Sequence, residues 1–342
     1  MKKIINKIKC SFALLLLLFT FSEIFSQENW GTGYAFEQNA KLGRGVNIIG
    51  YDPLWQDASK ARMKDKHFQL IKEAGFNNVR IVISPFKFAL DSSFTINPSF
   101  FTTVDWAIKE TLKNKLVAII DFHEHNTIQK DPLGNRARIY AMWKQIAEHY
   151  KDYSNDVMFE ICNEPNMKPE TWNDLYKGAY DILRKSNPNR TLIIGTINGN
   201  QIKFLQDLVL PENDRNIIVA IHYYSPIQFT HQGAPWSVKN KDLSGIEWTE
   251  SETDKENVNK DFDIAQEWSK KNNRPLTLGE FGAYEKADMA SRIRWTNYVA
   301  RQAEKRNWSW SYWQFDKDFI LYDMEKDAWV EPIKNALIPK SN

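Results

Sequence analysis

Two glutamates, Glu164 and Glu280, sit at the ends of apolar runs that lie far apart in the chain. Other polar or aromatic residues close similar runs: His123, Asn163, His222, Tyr224 and Trp313, while Arg80 lies inside one. Two carboxyl groups in the company of imidazole, amide, phenol and guanidinium groups form a set able to give and take protons at a bond. As structural ion pairs alone they would place two isolated charges at opposed strand ends, which is costly to bury. A competing set is His123-Glu124-His125, because an H-x-H at a strand end can hold a catalytic metal. In metal-dependent barrel hydrolases that motif usually opens on the first strand; here it follows the third, and no bridging lysine accompanies it. The expected chemistry is carboxylate chemistry, with no metal and no cofactor.

Such chemistry requires elements that bring distant residues to one place. Apolar, strand-like runs lie near 43–50, 78–83, 116–123, 157–164, 191–196, 217–224, 275–281 and 308–314. Helix-period patterns fall between them, over 64–74, 101–114, 137–151, 171–186, 259–272 and 288–306. Near-continuous apolar strands are buried on both faces, as in a parallel sheet wrapped by helices. Eight of them in this alternation predict an α/β fold, a (β/α)₈ TIM barrel with extended βα loops, whose chemistry gathers at the C-terminal strand ends. The alternative is a doubly wound sheet holding a dinucleotide. It lacks its glycine-rich turn, since GRGVNIIG does not have the G-x-G-x-x-G spacing. No internal repeat or Pro/Ser/Thr-rich linker marks off a second module.

The composition fits one large globular domain. Of 342 residues, 42% are hydrophobic and 26% charged, which argues against a disordered or low-complexity chain. With 45 basic against 43 acidic residues there is no basic field for nucleic acid. Lys2, Lys3, Lys7 and Lys9 precede an apolar stretch over 10–21 (CSFALLLLLFTF), and Ser26-Gln27 offers a cleavage point. This pattern predicts a signal peptide over 1–26 and a single catalytic barrel over 27–342, exported to the periplasm or beyond and free of the membrane after cleavage. Cleavage removes four lysines, one glutamate and Cys10. The mature chain is then near neutral, and Cys162 alone cannot form an internal disulfide. A monomer is expected.

The sequence resembles the retaining glycoside hydrolases of family 5 over essentially its whole mature length. FEICNEPN is similar to that family's acid/base motif and LGEFG to its nucleophile motif. NVRI, DFH, HYY and SYW follow in the family's order, and THQGAPW (230–236) resembles a loop of its cellulase-type members. The resemblance implies Glu164 as acid/base and Glu280 as nucleophile, with carboxyl groups roughly 5–5.5 Å apart. Arg80 and Tyr224 would hold Glu280 as the anion, and that anion would keep Glu164 protonated until Glu280 is glycosylated. Asn163 would contact the sugar 2-hydroxyl, His123 and His222 would line the reacting subsite, and Trp313 would stack on the ring. Glu124 is a departure, standing where some members carry a second histidine.

The implied partner is a β-linked polysaccharide or oligosaccharide, and the implied activity is endo-β-1,4-glucanase. The alternatives are a β-mannanase, a mixed-linkage or xyloglucan-cleaving enzyme, a non-catalytic glycan-binding barrel and a metal-dependent hydrolase. Aromatic residues make up 13% of the chain, and Trp55, Trp236 and Trp248 are loop candidates for further sugar platforms. Glu160 shares strand parity with Glu164 and is expected to be structural, Arg80 being its possible counter-ion. Cys162 is expected to be buried and inert, His67 and His149 to be surface or packing residues, and His231 to approach the cleft.

Overall fold

The computed structural model describes Gly31 and residues 33–340; the expected export segment 1–26 lies outside the described residues. Eight parallel strands close a barrel in chain order: β1 (Arg44–Ile48), β2 (Asn78–Ile83), β3 (Val117–Phe122), β4 (Val157–Glu160), β5 (Leu192–Gly195), β6 (Ile217–Tyr223), β7 (Leu276–Phe281) and β8 (Ser309–Tyr312). The helices are α1 (Tyr34–Leu42), α2 (Asp65–Glu73), α3 (Pro98–Lys113), α4 (Arg136–His149), α5 (Pro169–Ser186), α6 (Glu252–Asn272), α7 (Met289–Lys305) and α8 (Glu331–Leu337). A 3₁₀ segment, Ile202–Asp207, stands in the place of a long helix between β5 and β6.

Alternation along each strand sorts side chains into two environments. On β3, Ala118, Ile120 and Phe122 face the helices, where Phe122 stacks on Trp143 of α4 at 5.3 Å. Val117 and Ile119 face inward and join Met158, Ile193, Ile218 and Ala220 in a second apolar cluster. Ala35 and Leu42 of α1 complete that cluster, so α1 closes the N-terminal end of the barrel. One step further along the inward face the side chains turn polar: Asn47, Arg80, Asp121 and Glu160, all buried. The site therefore rests on an apolar layer.

The expected strands and helices are present, with shifted ends. The fourth strand stops at Glu160, four residues before its expected end, and Glu164 beyond it adopts a left-handed backbone with φ of 41°. Helix α6 begins at Glu252 rather than 259. Its first turns are all polar, and its start is set by a capping box between Ser251 and Asp254 that apolar periodicity does not register. Helices α1 and α8 and a short hairpin, β9 (Tyr322–Asp323) with β10 (Ala328–Trp329), are additions. His67 is buried between Phe315 and Tyr322, His149 stacks on Phe101 at 4.2 Å, and Cys162 is buried.

Candidate active site

A cleft of about 1010 Å³ opens at the C-terminal end of the barrel. His123, Asn163, Glu164, His222, Tyr224, Trp236, Glu280 and Trp313 all line it, and His231 joins them. Eight sequence-level candidates from five strands and their loops thus meet at one surface. Arg80, expected to hold Glu280 rather than the sugar, does not line it. It is fully buried beneath the floor and acts on its neighbours rather than on the cleft.

Arg80 uses all five of its N–H groups on protein. Nε and Nη2 donate to the two oxygens of Glu160 at 2.6 and 2.8 Å. Nη1 donates to Asn47 Oδ1 and Glu280 Oε1, each at 2.8 Å, and Nη2 also donates to Asn163 Oδ1 at 2.8 Å. The guanidinium is therefore both counter-ion to Glu160 and clamp on Glu280. Asp121 Oδ1 lies 3.1 Å from Nη2 as an ion-pair contact without hydrogen-bond geometry. Burial opposes the charge of Arg80, but Asp121, Glu160 and Glu280 outweigh it and raise its pKa well above the ordinary value.

Burial acts on the acids in the opposite sense. It pushes Asp121 up to about 7, with Arg80 opposing and Glu164 adding. It also raises Glu160, against Arg80. Glu280 is raised too, by burial first, with His222 and Arg80 opposing and Glu164 adding. Its hydrogen bonds nonetheless suit the anion: Arg80 donates to Oε1, and the Tyr224 hydroxyl donates to Oε2 at 2.9 Å. Glu164 sits differently, its side chain about a quarter exposed and its Oε1 2.8 Å from His222 Nδ1. One oxygen of Glu164, Nδ1 of His222 and one oxygen of Glu280 all lie within 4.8 Å of one another. A register shift between β6 and β7 sets His222 opposite Glu280, and Gly279 leaves room for the ring.

Burial also pushes His123, His125 and His222 down to about 4, so all three rings are neutral at pH 7. A neutral ring has one donor and one acceptor nitrogen. His123 Nδ1 is 2.7 Å from Asp121 Oδ2 and donates to it, which leaves Nε2 to accept from Asn163 Nδ2 at 3.3 Å. The second Asn163 N–H goes to His125 Nδ1 at 3.2 Å. His125 is thus a cleft residue that the sugar-site reading left out. Its signal was present in the H-x-H spacing, which was weighed only for metal. The intervening Glu124 does not converge with the two histidines. It is buried and accepts the Phe86 N–H at 2.7 Å, and burial lifts its pKa to about 7.

The tryptophan candidates divide. The Trp313 ring lines the cleft, 5.5 Å from His123 and nearly parallel to it, with Tyr51 edge-on at 6.1 Å. Trp236 is 49% exposed and rests against Tyr284 at the cleft wall. Trp55 and Trp248 are not platforms. Trp55 is buried, donates to the Ile49 carbonyl and packs on Phe100; Trp248 is 1% exposed and packs near Tyr298. In both, aromatic bulk serves the packing between loops and helices rather than a ligand.

The chain is similar to proteins of known description. Endoglucanase H of Acetivibrio thermocellus is 32% identical over 317 residues, which cover 88% of this chain. The chain spans about a third of the length of the first curated relatives it matches, 33% of Endoglucanase H and 31% of the cellulase/esterase CelE of the same bacterium. Among solved structures, Thermotoga maritima Cel5A in complex with cellobiose superposes with a TM-score of 0.85 at 42% identity, over 89% of this chain and 100% of that one. The same protein in complex with mannotriose gives 0.84 at 41%, with the same coverage. The profile of the family described as Cellulase (glycosyl hydrolase family 5) matches residues 39–318. With that match added to the barrel and its paired glutamates, the chain belongs to glycosyl hydrolase family 5, the cellulase family.

Proposed function

We propose that the protein is an exported, retaining endo-β-1,4-glucanase in which Glu280 is the nucleophile and Glu164 the acid/base. The observation that carries this reading is the contrast between two carboxyl groups whose facing oxygens lie within 4.8 Å. Glu280 accepts from a guanidinium and a phenol, while Glu164 faces the cleft and, among the described residues, hydrogen-bonds a neutral imidazole. Inverting enzymes hold their carboxyl groups roughly 6.5–9.5 Å apart to admit a water between acid and base. The closer approach here suits direct attack of Glu280 on the anomeric carbon. Glu164 protonates the leaving oxygen, then deprotonates the water that releases the sugar from Glu280.

The clamp on Glu280 keeps one face of the carboxylate fixed while its other lone pairs meet the sugar. Trp313 supplies a stacking face at the reacting ring, and Trp236 a second, more exposed one along the cleft. A mannan-cleaving activity is the second reading, favoured by the similarity to a Cel5A structure described with mannotriose.

The test is a panel of carboxymethylcellulose, barley β-glucan, glucomannan, galactomannan and xyloglucan, read by reducing ends and by anomeric proton NMR. Reducing ends from the first two, with the β anomer appearing first, are expected. Release from galactomannan alone would replace the glucanase reading, and α anomer first would sink retention. The export reading rests on the basic and apolar pattern over 1–26. Expressed in a bacterial host with that segment intact, the active protein should be found outside the cytoplasm, beginning near Gln27. Activity confined to the cytoplasm with Met1 retained would refute it.

A further inference from the structure

The loop after β5 holds a buried amide that the chemistry above does not use. Asn198, Gly199 and Asn200 all have left-handed backbones, with φ of 54°, 80° and 52°. The Asn198 N–H donates to the Pro165 carbonyl at 2.7 Å, which ties this turn to the segment carrying Glu164. The turn directs the Asn200 side chain inward, where it is fully buried. Space for the amide exists because residue 195 is glycine: a Cβ there would lie 2.2 Å from Asn200 Oδ1. Asn200 Nδ2 is 3.1 Å from His222 Nε2, and His222 Nδ1 is 2.8 Å from Glu164 Oε1. From the other side β7 confines the ring, since a Cβ at Gly279 would come within 3.0 Å of Nε2.

The geometry points to Asn200 as a positioning residue that sets the tautomer of His222 and, through it, the place of the proton on Glu164. This rests on the reading of Glu164 as acid/base. An amide N–H only donates, so Nε2 must offer its lone pair and the single ring proton goes to Nδ1. Nδ1–H then donates to Glu164 Oε1. A proton carried by Glu164 is kept on Oε2, the oxygen the ring does not occupy. Once that proton has moved to the leaving oxygen, the carboxylate retains a donor at Oε1 while Oε2 takes a proton from water. The groups whose charges act on His222 are Glu280, Arg80 and Glu160, with His123 beside them. Substitution at Asn200 removes none of them.

The competing arrangement reverses the amide, so that Oδ1, which has no partner among the described residues, accepts from an Nε2–H. Nitrogen-15 NMR of the full-length protein separates the two, because protonated and bare ring nitrogens resonate far apart. The expected wild-type signal is a protonated Nδ1. Asn200→Asp, whose carboxylate accepts, should put a proton on Nε2, lower kcat on β-glucan by about ten-fold or more with little change in KM, and displace the pH profile. A wild-type ring protonated at Nε2, or an Asn200→Asp enzyme with the wild-type pH profile, overturns the proposal. Should that variant fail to fold, the wild-type spectrum alone decides. Glu164→Gln keeps the two readings apart: full activity there would sink the acid/base role, while the tautomer is still read from the spectrum.

Discussion

Glu280→Ala should lose essentially all cleavage of a soluble β-1,4-glucan, a fall in kcat on the order of 10⁴–10⁶. The physical reason is that no other carboxylate can reach the same point. Glu160 and Asp121 lie deeper on the inward face and are fully buried, and Glu164 approaches from another strand. Folding should survive the change. Arg80 keeps Glu160, Asn47 and Asn163 as acceptors, and one of the carboxyl groups crowding it is removed. Azide should enter the vacated space and turn over an activated aryl β-glycoside to the α-glycosyl azide, since it attacks from the side the carboxylate held. The same anion with Glu164→Ala should give the β azide, formed by displacement from Glu280. Unchanged cleavage in Glu280→Ala, or a β azide from it, would sink the nucleophile assignment.

Arg80→Met should strongly destabilise the barrel interior. It strips the cation from Asp121, Glu160 and Glu280 at once, and breaking a buried ion pair from one side costs about 3–5 kcal/mol. In a domain of this size that is a fall of roughly ten degrees in Tm. The penalty should also depend on pH, with a definite sign. A carboxyl whose folded pKa lies above its unfolded value binds its proton more tightly in the native state. Native stability therefore falls as pH rises past the unfolded value. Asp121, pushed up to about 7 from an ordinary 3.8, already contributes in that sense, and losing Arg80 raises it further. Below about pH 7 Asp121 keeps its proton in both folded proteins, so the deficit of Arg80→Met against wild type should widen as pH rises past about 7, the wild-type value of Asp121. Arg80→Lys should recover little, because three donors on a flexible stem cannot replace five in a planar fork. Denaturant titrations at several pH values test this, and a variant within a degree or two of wild type at pH 8 would refute it.

Much of this site is legible in the sequence because a parallel barrel converts strand ends into a single surface. Glu164, Glu280, His123, His222, Tyr224 and Trp313 were found that way. Arg80 was legible as a possible partner of either Glu160 or Glu280, and it engages both. What escaped was the rest of the layer beneath. Asp121 stands two residues before His123 and so shares its face, as Asn47 shares the inward face of β1, yet both read as single polar interruptions of apolar strands. Asn200 escaped for another reason: it reaches His222 only because of three successive left-handed residues and a glycine at 195, none of which leaves a periodic trace. Trp55 and Trp248 were misread because an aromatic residue in a loop looks the same on paper whether it faces a ligand or the core. Helix α1 is short and carries buried Gln38 and Asn39, so its apolar stripe is too thin to register.

The layer sealed by α1 also fixes the direction of traffic. Ala35, Leu42 and the inward residues of β3 to β6 close the barrel from below, and every N–H of Arg80 is taken by protein. On the proposed mechanism, and with that end packed among the described residues, a water that frees a sugar from Glu280 comes in by the mouth through which the departing half of the substrate has just left. Hydrolysis and transfer to another sugar are then rivals at one doorway. Their balance is set by whatever lingers in the cleft that Glu164 shares with Gln201, Ile202 and Lys203 of the short 3₁₀ segment after β5.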